Sequence, residues 1–475
     1  MLGTLIKKEI LNSVFSFRFV VTLVLLVAVV PVTIFILTND YVKKVDEYSF
    51  RQNGIENYLK NYAHFNRLRG VVEPSQSPIP IYSLVRGISS DVNIAKFDDD
   101  PLPAVFPLID LVFIVGVLLS LAALIFSYDA VSGEKEDGTL KLMMSNHLAR
   151  SEILLGKIIG GTLTLLIPFL LSLILGLFVI LLNSRVAWTG TNWATLALVL
   201  LGAVIYVFLF LVIGVFISAR HHSSSASIMT SLFIWVLFIL IIPNLSPYLA
   251  SLISPAPSRI KMERERARLV DVERDELGRK LMAERLGELV KKYPVLAERF
   301  SEAEAKARVE KDPVFREAYQ ARTREVEAAW NEANRIQNAK SEILWKELDR
   351  KEKAQTKLAG DLSMISPLAD FTYLATDLTS TGMMNLRHFD QIKGGWEHTY
   401  WDYVQGRIAA LQKQNPTADS WNSPVDVGDM PRFQYKEEAL SARAKGTLWP
   451  FAIMMMMNLI VFSAAYISFV KYDVR

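Results

Sequence analysis

About six stretches of this chain are apolar over the length a helix needs to cross a bilayer, and this constrains its fold more than any other feature. A hydrocarbon core about 30 Å thick takes roughly 20 residues at helical rise, and a backbone inside it must satisfy its own hydrogen bonds. The runs are Phe19 to Leu37, Phe106 to Phe126, Ile158 to Leu182, Trp193 to Ser218, Ser227 to Ile242 and Leu448 to Val470. Hydrophobic residues make up 51% of the chain, yet 21% is charged, so water-soluble structure must lie between the runs. The expected fold is an all-α membrane protein of about six transmembrane helices carrying a large, mainly helical domain outside the cytoplasm.

A formal charge of +3 over 475 residues gives no argument for nucleic acid as a partner. The absence of cysteine removes disulfides, thiol catalysis and cysteine-ligated metals together. Lys7, Lys8, Glu9 and Arg18 precede the first run, which is longer than a signal-peptide core and ends without a small-residue cleavage site. It reads as a retained anchor.

Residues 1–17 place Leu2, Leu5, Ile6, Ile10, Leu11 and Val14 opposite Lys7, Lys8 and Glu9, the stripe of an amphipathic helix lying along the inner leaflet. The first span is 18–38. Residues 39–105, with Pro74, Pro78 and Pro80, form an extracytoplasmic segment expected to build a small cap with part of the later soluble region. Spans two to five fill 106–254. Within them lie a charged segment at 128–157 and, after Pro243-Asn244, a re-entrant or interfacial piece at 243–254. Trp188 and Trp193 mark an outer loop between spans three and four, and Arg220-His221-His222 a cytoplasmic turn between spans four and five.

Residues 255–446 are expected to form an extracytoplasmic helical stalk followed by a mixed subdomain. From Ser258 to Leu362 the sequence is charged and alanine-rich, broken at Pro294 and Pro313. Leu277, Leu281, Met282, Leu286 and Leu289 form one stripe, and Phe315, Tyr319, Val326, Trp330, Ala333, Ile336, Ile343 and Leu348 another, so two long helices should pair antiparallel. Further on, Met364, Leu368, Phe371, Leu374 and Leu378 predict an amphipathic helix near the membrane. Residues 447–475 hold the sixth span and a short cytoplasmic tail. Counting spans from an inside amino terminus puts 258–445 outside. Arg259, Lys261, Arg264, Arg266 and Arg268 oppose that order, but the rule weakens for large domains and Glu263 and Glu265 are interleaved.

The charged segment runs Ser132-Gly133-Glu134-Lys135-Glu136-Asp137-Gly138-Thr139-Leu140-Lys141-Leu142 and continues as Arg150-Ser151-Glu152-Ile153-Leu154-Leu155-Gly156-Lys157. Acids in the first turn of a short helix are stabilised by the positive end of its dipole, and Gly138 lets the chain bend. Arg150 and Lys157 bracket the return to the membrane with the positive charge of a cytoplasmic loop. This has the character of a docking surface; the plainer alternative is an ordinary acidic and basic loop between two spans. No Gly-x-x-x-x-Gly-Lys-Ser/Thr stretch is present, so no phosphate-cradling loop belongs to this chain. His-Glu-x-x-His and Gly-x-Ser-x-Gly are absent too, leaving no catalytic and no metal-binding residues to nominate. His221-His222 reads as a polar turn in preference to a metal site, and Met454 to Met457 as packing in preference to a copper site, since consecutive positions point to all sides of a helix. Asp110 is open between a functional acid and a solvated anchor.

The order S-x-E-x-E-x-G-T-L, a gap, then R-x-x-x-L-x-x-K resembles the cytoplasmic coupling segment of permease subunits in type 2 ATP-binding-cassette (ABC) exporters. With the amphipathic first helix, the interrupted fifth span and the last span ending in Lys471-Tyr472-Asp473-Val474-Arg475, the membrane part is most similar to permeases grouped with those of multicopper-enzyme maturation and sodium or drug efflux. The resemblance implies a bacterial inner-membrane, multi-pass protein with both termini cytoplasmic. It implies a separate cytoplasmic ATPase that holds the ATP and magnesium, with no cofactor in this chain, and a second permease copy, identical or a related paralogue, sharing one translocation path. Docking of the ATPase would fall to Glu134, Glu136, Asp137, Gly138, Thr139, Leu140, Arg150 and Lys157. The departure is the large insert after the fifth span. It keeps open a second function, in which ATP-driven motion works the stalk against a periplasmic or cell-envelope partner without transporting anything. A passive scaffold would have no need of the charged surface.

Overall fold

The computed structural model describes residues 2–62, 74–87, 109–145, 149–298, 300–414, 424 and 426–471. These form helices, with no strand among the described residues. Six helices are long and apolar enough to cross a membrane. The chain divides into two compact units, one of Met1–Pro243 with Met364–Arg475, the other Asn244–Ser363.

In the first unit α1 (Leu2–Val14) is a helix that packs on the start of α6 (Arg150–Leu182), where Gly156 meets Leu5 and Gly160 meets Glu9; Glu9, expected on the polar face, thus shares the packed side with Leu5, four residues before it, while Leu11 of the expected stripe is exposed. The next helix, α2 (Phe17–Tyr62), runs for 46 residues, about 70 Å at helical rise, roughly twice a bilayer core. The part of the expected cap at 39–62 is therefore a continuation of the first span. Nothing between Thr38 and Asn53 is glycine or proline, so no stop signal interrupts the backbone ladder. This extension does join later residues: Leu59 is buried with Tyr400, Val404 and Ile408 of α13 (Met383–Gln414) and with Val427 and Met430, while Arg432 pairs with Glu56 at 2.6 Å.

Helix α3 (111–127) contains a π-helical stretch, Ile114–Leu119. Asp110 caps it, Oδ1 accepting from the Phe113 amide at 2.9 Å and Oδ2 from the Arg86 amide at 3.2 Å, which gives the acid a structural task. Helix α7 (Gly190–Arg220) is the hub of the bundle, packing on α3, α6, α8 (Ser224–Ile253), α12 (Pro367–Leu378) and α15 (Leu448–Val470). Tyr206, Val207, Leu209, Phe210, Leu211 and Val212 on it are all fully buried. Lipid is as apolar as these side chains, so close packing rather than the hydrophobic effect holds such helices together. The closest approach is at Gly214, where a Cβ would lie 1.9 Å from Ser127 Oγ of α3.

Two sequence expectations change here. The piece at 243–254 does not turn back: α8 is one 30-residue helix through Pro243 and Pro247. A π-helical stretch, Leu237–Ile241, lies directly before Pro243 and takes up the missing backbone donor by lengthening the hydrogen-bond register. Residues 364–471 pack with the spans rather than with 244–363, because α12 buries Phe371, Leu374 and Leu378 against α7 and its neighbours. Around α15, Met454 is buried while Met455 and Met456 are exposed, the distribution expected of consecutive packing residues.

The second unit is a helical hairpin. Helices α9 (259–292) and α11 (Pro313–Ser363) run antiparallel, as shown by Arg259 to Glu352 at 2.9 Å, Lys340 to Glu273 at 3.6 Å and Tyr293 to Glu317 at 2.8 Å. Exposed pairs of this kind contribute about 0–1 kcal/mol each, so they set register more than strength. Between the two, Pro294 opens a 3₁₀ turn, α10 (Glu302–Lys311) starts on a Ser301–Glu304 capping box, and Pro313 occupies the first turn of α11. The buried face of α11 is mostly small: Ala318, Ala329, Ala333 and Ser341 beside Phe315 and Leu348. Ile343, expected in the stripe, is exposed, because that Ala-rich seam is offset from the large apolar positions.

Candidate functional site

The charged segment folds as two short helices, α4 (Ser132–Glu136) and α5 (Thr139–Ser145), with Gly138 at φ +72° between them. That left-handed backbone is strained for any residue with a Cβ, which accounts for glycine at the bend. His147, between α5 and α6, lies outside the described residues.

Helix α4 is a clip across the ends of two spans. Its first turn is capped by α7: Ser218 Oγ accepts from the amides of Val131 and Ser132, both at 2.9 Å. In return Lys135 Nζ donates to the carbonyls of Ala219 at 2.6 Å and His221 at 3.0 Å, placing a cation at the negative end of α7. The Glu136 carboxylate accepts from the Ser224 amide at 3.0 Å and hydroxyl at 2.6 Å, an anion at the positive start of α8. Ser227 Oγ also reaches the Tyr128 carbonyl at 2.5 Å. His221, in the turn between these spans, shares a hydrogen bond with Thr230 at 3.2 Å, and no metal-holding cluster of His, Asp and Glu occurs among the described residues.

A second set of charges ties the clip to the first and third spans. Lys157 of α6 has a side chain only 4% exposed, and it meets Glu134 at 2.6 Å and Glu9 of α1 at 3.5 Å. Arg18, at the start of α2, grips Asp129 through two bonds of 2.7 and 3.0 Å and also reaches the Tyr128 hydroxyl at 3.0 Å and the Ile125 carbonyl at 3.1 Å. Arg150 donates to the Val470 carbonyl and so joins the start of α6 to the end of α15.

The sequence-predicted site residues thus divide. Glu134, Lys157 and Leu140 face inward, Leu140 being buried, and Glu136 and Arg150 hold helix ends. Asp137, Gly138 and Thr139 are exposed, continuous with Lys141 and with Leu142, which is 69% exposed. Sequence reading missed Glu9, Arg18, Asp129, Lys135, Ser218, Ser224 and Ser227. For Arg18, Asp129, Ser218, Ser224 and Ser227 the signal is position: each is a polar residue within a turn of a span end, where orphan helix donors and acceptors need partners, whereas Glu9 and Lys135 lie on α1 and α4 and carry no such signal.

The chemistry available is mechanical: one small element holds the ends of α3, α7 and α8 and, through Lys157, α1 and α6. Over 124 residues the chain is 30% identical to the probable ABC transporter permease protein NosY of Stutzerimonas stutzeri, covering 26% of this chain and 45% of that one. Over 135 residues it is 33% identical to the probable ABC transporter permease protein NosY of Pseudomonas aeruginosa, again covering 26% of this chain and 45% of the relative. The chain therefore spans less than half the length of the curated relatives it matches. The sequence pattern described as "ABC-2 family transporter protein" matches residues 4–474, nearly end to end, so the chain belongs to the ABC-2 transporter family and is a multi-pass membrane permease subunit of an ABC system.

Proposed function

We propose that this permease belongs to an ATP-driven exporter and receives its drive through the α4–α5 clip, on which a separate ATPase subunit docks from the cytoplasm. In this reading both termini are cytoplasmic, the membrane is the bacterial inner membrane, and two permease copies, identical or paralogous, share one path. The chain holds no nucleotide; ATP and magnesium belong to the ATPase. The observation that carries the reading is the division of the clip into two faces. Inward residues bind the ends of the spans, while Asp137, Thr139, Lys141 and Leu142 form a continuous outward edge. A ligand pushed against that edge moves several spans at once.

The test separates the faces. Asp137→Arg with Leu142→Asp alters the outward edge and should reduce co-purification of the ATPase at least tenfold while leaving unfolding within about 0.5 kcal/mol of the parent, as surface changes do. Unchanged co-purification with unchanged coupled ATP hydrolysis would refute docking at this edge. A second reading, force transmission to a periplasmic or cell-envelope partner without transport, is favoured by the Asn244–Ser363 unit, whose α11 alone is 51 residues long.

A further inference from the structure

Asp370 lies on α12, fully buried, and neither of its carboxylate oxygens has a hydrogen-bond partner among the described residues. The helix around it is tightly specified. Ser366 caps it, accepting from the Leu368 amide at 3.2 Å and donating to the Phe238 carbonyl, which lies in the π-helical stretch of α8. Leu368 fills the space over Gly116 in the π-helical stretch of α3, and Phe371 stacks on Tyr206 of α7 with centroids 5.0 Å apart. Asp370 is thus held on a helix that packs against both π-helical stretches of the spans. Such stretches, which leave backbone groups loosely paired, recur at functional sites. Asn458 of α15, which donates to the Ile205 carbonyl beside Tyr206, likewise has a buried Oδ1 without a partner.

Among the described residues, the elements packed on α12 supply no counter-ion to Asp370. The π-helical stretches of α3 and α8 carry no ionisable residue, and neither does α15 apart from Tyr466 far along it. From α7 the facing group is Tyr206, whose hydroxyl donates to the Gly116 carbonyl at 2.7 Å. At the other end of α12, Arg443 of α14 (Leu440–Gly446) is engaged by the Leu378 carbonyl and Ser380 Oγ, both at 2.7 Å, and Lys445 is exposed. Asp377 on α12 itself accepts from the Met384 amide at 3.0 Å; Arg387 and His388 of α13 lie toward that end, His388 being bonded to the Lys436 carbonyl. Asp110, before α3, is taken up by two amides.

We propose that Asp370 is a proton-binding site within the membrane bundle, holding a proton in this conformation and exchanging it with water as the permease changes shape. Burial without a partner favours the neutral acid, whereas its place in the first turn of α12 favours the anion, so a modest rearrangement at either π-helical stretch tips the balance. One proton passes from hydronium to a carboxylate oxygen and returns to water, with no other reactant. A proton is also the one cation that needs no further ligands.

The infrared spectrum of the full chain in lipid nanodiscs is the direct test and requires neither ATPase nor cargo, so its failure is distinguishable from failure of the docking reading. At neutral pH a protonated-carboxyl stretch is expected that shifts in heavy water, moves in Asp370→Glu and is lost in Asp370→Asn. With the ATPase bound, the pH profile of ATP hydrolysis should lose a limb in Asp370→Asn, while melting and co-purification match the parent. A carboxyl band that persists in both variants, or the absence of any such band, overturns the proposal. Sodium-dependent hydrolysis at fixed pH that vanishes in Asp370→Asn would assign a metal cation instead and also overturn it.

Discussion

Replacing Lys157 with methionine is the sharpest perturbation of the clip. The lysine side chain is 4% exposed and stands between Glu134 at 2.6 Å and Glu9 at 3.5 Å, each 19% exposed. Methionine fills much the same volume, so the loss is electrostatic. It leaves two carboxylates with no cation between them, and Glu134 Oε2 already has no partner among the described residues. Removing one member of a buried ion pair costs about 3–5 kcal/mol; the residual exposure of the acids puts the expectation near the lower end, about 3 kcal/mol. Glu134→Gln should be much milder, about 1 kcal/mol, because Lys157 keeps Glu9 and the amide still accepts a hydrogen bond.

Reversible unfolding in mixed detergent, compared across Lys157→Met, Glu134→Gln and the double variant, measures this. The double variant should recover about 1 kcal/mol or more of the single-lysine loss, since one of the stranded charges is gone. Coupled ATP hydrolysis should fall with Lys157→Met even where the ATPase still co-purifies, because the outward edge is intact while its connection to α6 is cut. If Lys157→Met unfolds within about 1 kcal/mol of the parent, or the double variant is no better than the single, the buried triad does not hold the clip.

Three further outcomes follow from the same geometry. Ile343→Cys, a single thiol on an exposed position of α11 in a chain without cysteine, should react with a membrane-impermeant reagent in intact cells; reaction only after lysis puts the Asn244–Ser363 unit in the cytoplasm. Replacing residues 259–358 by a flexible linker should preserve basal ATP hydrolysis and abolish cellular activity, and full cellular activity would make the hairpin an accessory. Gly214→Ala sets a Cβ 1.9 Å from Ser127 Oγ and should destabilise the bundle by about 1–3 kcal/mol, seen as a lower melting temperature; an unchanged value would mean that α3 and α7 separate freely.

The spans were legible in the sequence because bilayer thickness imposes a length and a composition that survive without tertiary context. The hairpin was legible for a similar reason: two helical stripes joined through Pro294 and Pro313 have few other ways to bury themselves. What the sequence hid depends on partners far along the chain. Glu134 and Glu136 read as outward acids because local spacing says nothing of Lys157 or Ser224, whose contacts exist only once α6 and α8 are in place. Pro243 read as a break because proline removes one bond from an α-helical ladder, and the π-helical turn that absorbs it is set by packing against α12. Asp370 was passed over for the opposite reason: Leu368, Phe371 and Leu374 announce an amphipathic helix whose other face should be wet, but α12 is enclosed on both faces, so its acid is buried too.

The clip and Asp370 are linked by a single rigid element. One end of α7 is fixed to α4 through Ser218, Ala219 and His221. Twelve residues back, about 18 Å along the axis, Tyr206 stacks on Phe371 and bonds to the π-helical stretch of α3 at Gly116. Helices transmit axial displacement with little loss, and the close packing at Gly214 prevents α7 from sliding on α3 without carrying it along. If a docked partner displaces the clip as proposed, the motion would reach the α3 π-helical stretch and the first turns of α12, where Asp370 lies. Coupling of this kind requires a second discrete arrangement for the π-helical stretches to adopt, and the side-chain bonds made there, Tyr206 to the Gly116 carbonyl and Ser366 to the Phe238 carbonyl, are the contacts that such a rearrangement would have to exchange.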